Sequence, residues 1–172
     1  MDLFAGRCMR FKTFSYRFAE QVLNSKLATK KEIEGIISLI KHGGYSRPEL
    51  NEIFRKEFTE RGWEQQPRIF ETLTDIAARI DYLKNRVGVE VAFSHSSFIG
   101  IDLLKFQALS YSSLDKIDVG VYIAVTKEYK KKLEKEYNKK WQGSVTFEKV
   151  CKYLPHFRSA IQVPVFVYGI EG

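Results

Sequence analysis

The sequence predicts an α/β fold in which helices flank a mixed central β-sheet. Three observations predict it. RVGVEVAF (86–93), VGVYIAVT (119–126) and VPVFVYGI (163–170) are short runs rich in β-branched residues, the texture of strands covered on both faces. SFIGIDLLKFQALSY (97–111) and KEYKKKLEKEYNKKW (127–141), which lie between them, have helical length and spacing. Strands that alternate with helices in this way build a sheet with helices packed on it. The 172 residues suit a single domain, 1–172, with a core that needs no disulfide or metal staple.

The first third of the chain supplies the remaining elements. FKTFSY (11–16) alternates loosely and reads as a short strand, and RFAEQVLNS (17–25) as a first helical piece. Thr29 and Glu32 have capping-box spacing ahead of Ile33, Ile36, Ile37 and Ile40, a helix that Gly43-Gly44 ends. Another helix is expected from Ser46-Arg47-Pro48, with Leu50, Ile53, Phe54 and Phe58 on one face and a stop at Gly62. These apolar stripes are core positions.

Composition excludes several function classes. No apolar run reaches the ~20 residues of a membrane helix, and MDLFAGRCMRFK has no signal-peptide core, so no membrane partner is expected. Cys8 and Cys151 lack zinc-site spacing and form no disulfide framework; a reducing cytoplasm is the simplest setting. The 28 Lys+Arg against 21 Asp+Glu leave a formal charge of +7, which suits a polyanionic partner. The lysines of 127–141 do not sharpen this, because Tyr129, Leu133, Tyr137 and Trp141 recur every fourth residue and mark a packed face with lysines flanking it.

Chemistry concentrates in RIDYLKNRVGVEVAF (79–93). ARIDYL and RVGVEVAF flank Lys84-Asn85, a polar pair suited to a tight turn between strands, which brings Asp81 and Glu90 together. Carboxylates among apolar strand residues cost several kcal/mol unless they are paired or bind a cation. Two readings follow. Asp81 and Glu90 share an Mg²⁺ ion (Mn²⁺ being a possible substitute), which takes one or two protein carboxylates plus waters and a phosphate; or Asp81 pairs with Arg79 or Arg86 and Glu90 is an edge residue.

The hairpin with its Asp, eight intervening residues and E-V-x-F resembles the active-site hairpin of BglII/BstYI-type restriction endonucleases, of the PD-(D/E)xK nuclease superfamily. FAEQVLN (18–24), KEIEGII (31–37), GWEQQ (62–66), VGVYIAVTK (119–127) and VPVFVYGIEG (163–172) are similar to other segments of that family, in order. Longer members continue past the point matching Gly172 into a further subdomain. The resemblance implies a restriction-endonuclease-like fold and metal-assisted hydrolysis of duplex DNA at a GATC-centred palindrome. It implies Asp81, Glu90 and the Val91 carbonyl as metal ligands, and Gln66 beside the metal's water shell, with Glu64 as a nearby substitute. Ser94 and His95, at the following turn, become candidate base contacts, with Ser96 or Ser97 capping the next helix as the plainer alternative. Lys105 is a phosphate contact or a solvated lysine. A homodimer is implied too, placed on 97–111 through Phe98, Ile101, Leu104 and Leu109, together with a companion DNA methyltransferase. One position departs from the pattern. Ala92 stands where the superfamily carries Lys, Glu or Gln, so that Lys84, Gln66 or His95 must reach in, the water is oriented without help, or cleavage is weak or absent.

Overall fold

The computed structural model describes residues 8–70, 78–111 and 114–172. Strand β1 (Arg10–Tyr16) leads into helices α1 (Ala19–Asn24), α2 (Leu27–Leu39) and α3 (Arg47–Glu60). Short strands β2 (Glu64–Gln65) and β3 (Tyr82–Lys84) precede β4 (Val87–Val91) and α4 (Ile99–Ser110). Then follow β5 (Val119–Val125), α5 (Lys127–Lys135), α6 (Phe147–Tyr153) and β6 (Val165–Glu171). The strands form one six-stranded sheet in the order β1-β6-β5-β4-β3-β2. β4, β5 and β6 run parallel, and β1, β3 and β2 complete the edges antiparallel to their neighbours. The mixed sheet expected from the three β-branched runs is the one that forms, and those runs occupy its centre.

Helices cover both faces, so β5 is buried throughout and β4 and β6 are buried up to their last residue. Alternation along each strand divides the core in two. Val87, Val89, Val119, Val121, Phe166 and Tyr168 meet α1, α2, α3 and α5. Ala92, Tyr122, Ala124, Val165 and Val167 meet α4 and α6. Gly120 sets how closely α4 approaches: a Cβ there would stand 2.6 Å from the Phe106 ring.

Two local expectations are corrected. Thr29 and Glu32 do not cap α2, which starts two residues earlier at Leu27; Thr29 is buried inside the helix and accepts a hydrogen bond from Asn85 Nδ2 at 3.0 Å. The capping box sits one helix later, where Glu49 N–H donates to Ser46 Oγ and Ser46 N–H to Glu49 Oε2. The helix expected over 127–141 ends at Lys135; Asn138 turns left-handed, Tyr137 is exposed, and Trp141 is buried with its Nε1–H bonded to the Tyr45 carbonyl. Helix α6 carried no periodic signal long enough to be read from the sequence, since it has seven residues and one fully buried side chain, Val150.

Candidate active site on the α4 face of the sheet

The hairpin that carries the acids turns on Asn85 and Arg86, both at positive φ (49° and 61°), one residue later than the expected Lys84-Asn85 pair. Two such residues make the turn whose twist matches a two-residue hairpin. Side-chain bonds hold it, Asn85 to Thr29 and the Arg86 guanidinium to Asp118 and Asp115. Tyr82 pairs with Val89, and alternation sends Tyr82 and Lys84 to the α2 side but Asp81 and Glu90 to the α4 side.

On that side three carboxyl groups meet one ammonium. The Asp81 Oδ2 accepts the Val91 N–H at 2.8 Å, and Asp81 and Glu90 line the same cleft, near enough for each charge to act on the other. Lys105 of α4 donates to Glu90 Oε1 and to Asp102 Oδ1, both at 3.1 Å. Asp102 Oδ2 accepts from the Tyr122 hydroxyl at 3.0 Å, and Tyr122 is the register partner of Glu90 on β5. The competing pairing of Asp81 with Arg79 or Arg86 does not form: Arg79 donates to the Gln66 carbonyl and Arg86 to Asp115 and Asp118.

Electrostatics mark the cluster. Glu90 is 4% exposed, and burial first, then the negative charges of Asp81 and Asp102, push its carboxyl well above the carboxylate range. Burial also pushes Asp81 up, against the Val91 N–H bond that favours its ionised form. Asp102 rises through burial as well, opposed by Lys105 and the Tyr122 hydroxyl. When all are ionised, three carboxylates face a single ammonium, an excess that a divalent cation would neutralise. The oxygen donors and the charge therefore fit a hard divalent ion. The described residues hold no group of three or more His, Cys, Asp or Glu able to enclose an ion, so Asp81 and Glu90 would leave most coordination positions to water and phosphate, as suits Mg²⁺.

The cluster opens into a cleft of about 520 Å³ between α3 and α4. Gln66 lines it, exposed and left-handed, with its N–H on the Asp81 carbonyl at 2.8 Å. Val91, Ala92 and Ser94 line it too, whereas Glu64 on β2 does not. His95 is exposed and itself caps the short 3₁₀ turn Ser96–Phe98: Nδ1 accepts the Ser97 N–H at 3.2 Å. The imidazole caps that turn, while helix α4 itself has Phe98 at its N-cap and no side-chain cap, so neither Ser96 nor Ser97 caps it. Lys105 is half-buried and bound to acids rather than solvated. Sequence reasoning missed Asp102 and Tyr122. A lone acid in the apolar stretch IGIDLLKF, with a lysine three residues on, was the available signal for Asp102; nothing marked Tyr122 among the strand aromatics.

The sequence profile of the family described as restriction endonuclease BglII/BglIII matches residues 11–170. The chain belongs to that family. Its enzymes are restriction endonucleases, which cleave DNA at specific sequences. The fold agrees with two solved structures of BglII. The complex with a DNA 16-mer superimposes with a TM-score of 0.72 at 18% identity, over 94% of this chain and 76% of that one. The free enzyme gives 0.65 at 16% identity, over 95% and 80%. No curated protein sequence matches the chain significantly. Among the described residues no helix is long and apolar enough to cross a membrane.

Proposed function

We propose that the chain is a Mg²⁺-dependent endonuclease, with Mn²⁺ as a substitute, that cleaves double-stranded DNA at a GATC-centred palindrome. The observation that carries this reading is the Asp81–Glu90 pair, on one face of the sheet at the floor of an open cleft. Asp81, Glu90 and the Val91 carbonyl would hold the metal, with Gln66 beside its water shell. When bound, the ion polarises the scissile phosphate and makes the attacking water more acidic. The water oxygen bonds to phosphorus, one P–O ester bond breaks, and the departing oxygen leaves as a hydroxyl after taking up a proton. Asp81 is held for this task by the Val91 N–H, and Glu90 by Lys105.

Ser94 and His95 read base edges, the imidazole Nε2–H donating to a purine N7 or O6. A two-fold homodimer matches the symmetry of a palindrome. Phe98, Ile101 and Leu104 support its placement on α4, since each is about half exposed (51%, 50% and 49%); Leu109, at 1%, belongs to the core instead. In a cell the enzyme works in the cytoplasm beside a methyltransferase that protects the same site.

The test is cleavage of linear duplex carrying GATC-centred palindromes with Mg²⁺ or Mn²⁺. Wild type is expected to cut at discrete sites, and Asp81→Ala to bind duplex without cutting it. Equal cleavage by that variant would remove the site assignment. A second reading, a DNA-binding relative without activity, is favoured by Ala92, which offers a methyl group where a water-positioning side chain belongs. It is the better reading if duplex is retarded in a salt-sensitive way and remains whole with every divalent ion tried.

A further inference from the structure

Ala92 is 3% exposed and packs in the apolar core under α4, so position 92 contributes no polar atom to the site. An ammonium nevertheless reaches the same acids from the opposite wall. Lys105 comes from the second turn of α4, lines the cleft, and stands 3.1 Å from Glu90 Oε1. Its position is over-determined. Asp102, one turn earlier on α4 and 6% exposed, binds it at 3.1 Å; Asp102 is in turn fixed from below by the Tyr122 hydroxyl. Phe106 seated on Gly120 sets the height of this stretch of α4 above β5. A buried aspartate on an apolar helix face is costly, and it persists where the group it holds is needed in one place.

We infer that Lys105 offsets the side chain missing at position 92 by a different route. It is a catalytic residue that contacts a non-bridging oxygen of the scissile phosphate, and Asp102 and Tyr122 are positioning residues acting through it. The inference rests on the nuclease reading above. An ammonium has three donors, and Glu90 and Asp102 take two of them, which leaves one for the phosphate. A fixed cation aimed at a phosphate as negative charge accumulates on it stabilises the transition state more than the bound substrate. The side chain thus comes from a different element than the strand, and reaches Glu90 of the same pair.

Four variants test this: Lys105→Met, Lys105→Met with Ala92→Lys, Asp102→Asn, and Asp102→Asn with Lys105→Met. Three readouts are taken: single-turnover cleavage, duplex binding in Ca²⁺, and Mn²⁺ affinity without DNA. Lys105→Met is expected to slow cleavage ~10²–10³-fold and to hold duplex binding within about threefold, because a lysine that only anchored DNA would lower both together. Its Mn²⁺ affinity should tighten by roughly tenfold, since a competing cation has left the acids. Adding Ala92→Lys should recover much of the rate. Asp102→Asn should slow wild type yet add nothing to Lys105→Met, the non-additivity of two groups acting as one. Lys105→Met cutting as fast as an active wild type overturns this inference alone, as does a rate that falls only in step with duplex binding. A wild type that cuts no duplex with any divalent ion overturns the nuclease reading, and this inference with it.

Discussion

Two lysines reach carboxylates from opposite faces of the same hairpin, and they differ in one decisive respect. On the α2 face, Lys84 donates to both oxygens of Glu32, at 2.9 and 3.0 Å, and to the Arg61 carbonyl at 2.7 Å. Glu32 also accepts the Trp63 indole N–H at 2.8 Å. One ammonium meets one carboxylate, every donor of the ammonium is used, and the pair ties β3 to α2 and α3. On the α4 face, Lys105 meets Glu90, Asp102 and, through Glu90, Asp81. Once its carboxyls are ionised that group carries surplus negative charge, and it opens into the cleft. Balanced charge with filled hydrogen-bonding capacity is a structural tie; unbalanced charge beside an opening is a place for a ligand.

The largest effect should come from the unbalanced side. Asp81→Ala or Glu90→Ala is expected to lower single-turnover cleavage by about 10³-fold or more while circular dichroism and melting show an intact fold. A loss of both together would make the acids structural, and the contrast with Lys84 would vanish. Next comes the balanced side. Glu32→Gln removes the anion that faces Lys84 and should cost about 1–3 kcal/mol. For a chain of this size each kcal/mol is about 2–4 °C of melting temperature. Cleavage per folded molecule should stay at the wild-type rate.

The folded-state value of Glu90 is raised, so its proton is held more tightly in the native chain than in the unfolded one. Ionising it therefore destabilises the metal-free protein, and stability attributable to Glu90 falls as pH rises from the ordinary carboxylate range through the raised value. Mg²⁺ should offset this loss, so that its thermal shift is larger near about pH 8 than near about pH 5.5. An equal shift at both would mean that the ion does not bind at Glu90. The smallest effect is expected from Lys84→Met. Its ammonium is partly exposed, and Glu32 keeps the Trp63 donor, so about 1 kcal/mol or less should be lost, with cleavage unaffected. Cleavage lost along with Lys84 would make it the compensating residue for Ala92 instead of Lys105.

Much of this architecture was legible in the order of residues. The β-branched runs at 86–93, 119–126 and 163–170 form the sheet's centre because burial on both faces demands continuous apolar character, a local signal. The Asp81–Glu90 pairing was legible for a related reason: strand alternation across a short hairpin sends both to one side, whichever residue opens the turn. The Thr29–Glu32 box failed because the same residue types serve a tertiary purpose, Thr29 receiving Asn85 and Glu32 receiving Trp63 and Lys84. Position 127–141 failed at its end because Trp141 is buried by a turn through Asn138 rather than by continued helix.

The sequence alone therefore determined every strand but the two-residue β2, most of the helices and the shared side of the two acids, since periodicity and burial act between near neighbours. Only the tertiary structure decided that Lys105, Asp102 and Tyr122 join those acids. Glu90 meets Tyr122 through the parallel register of β4 and β5, and Lys105 through the seating of α4 on Gly120. Those approaches are set by packing between segments far apart in the chain, and no spacing along it encodes them.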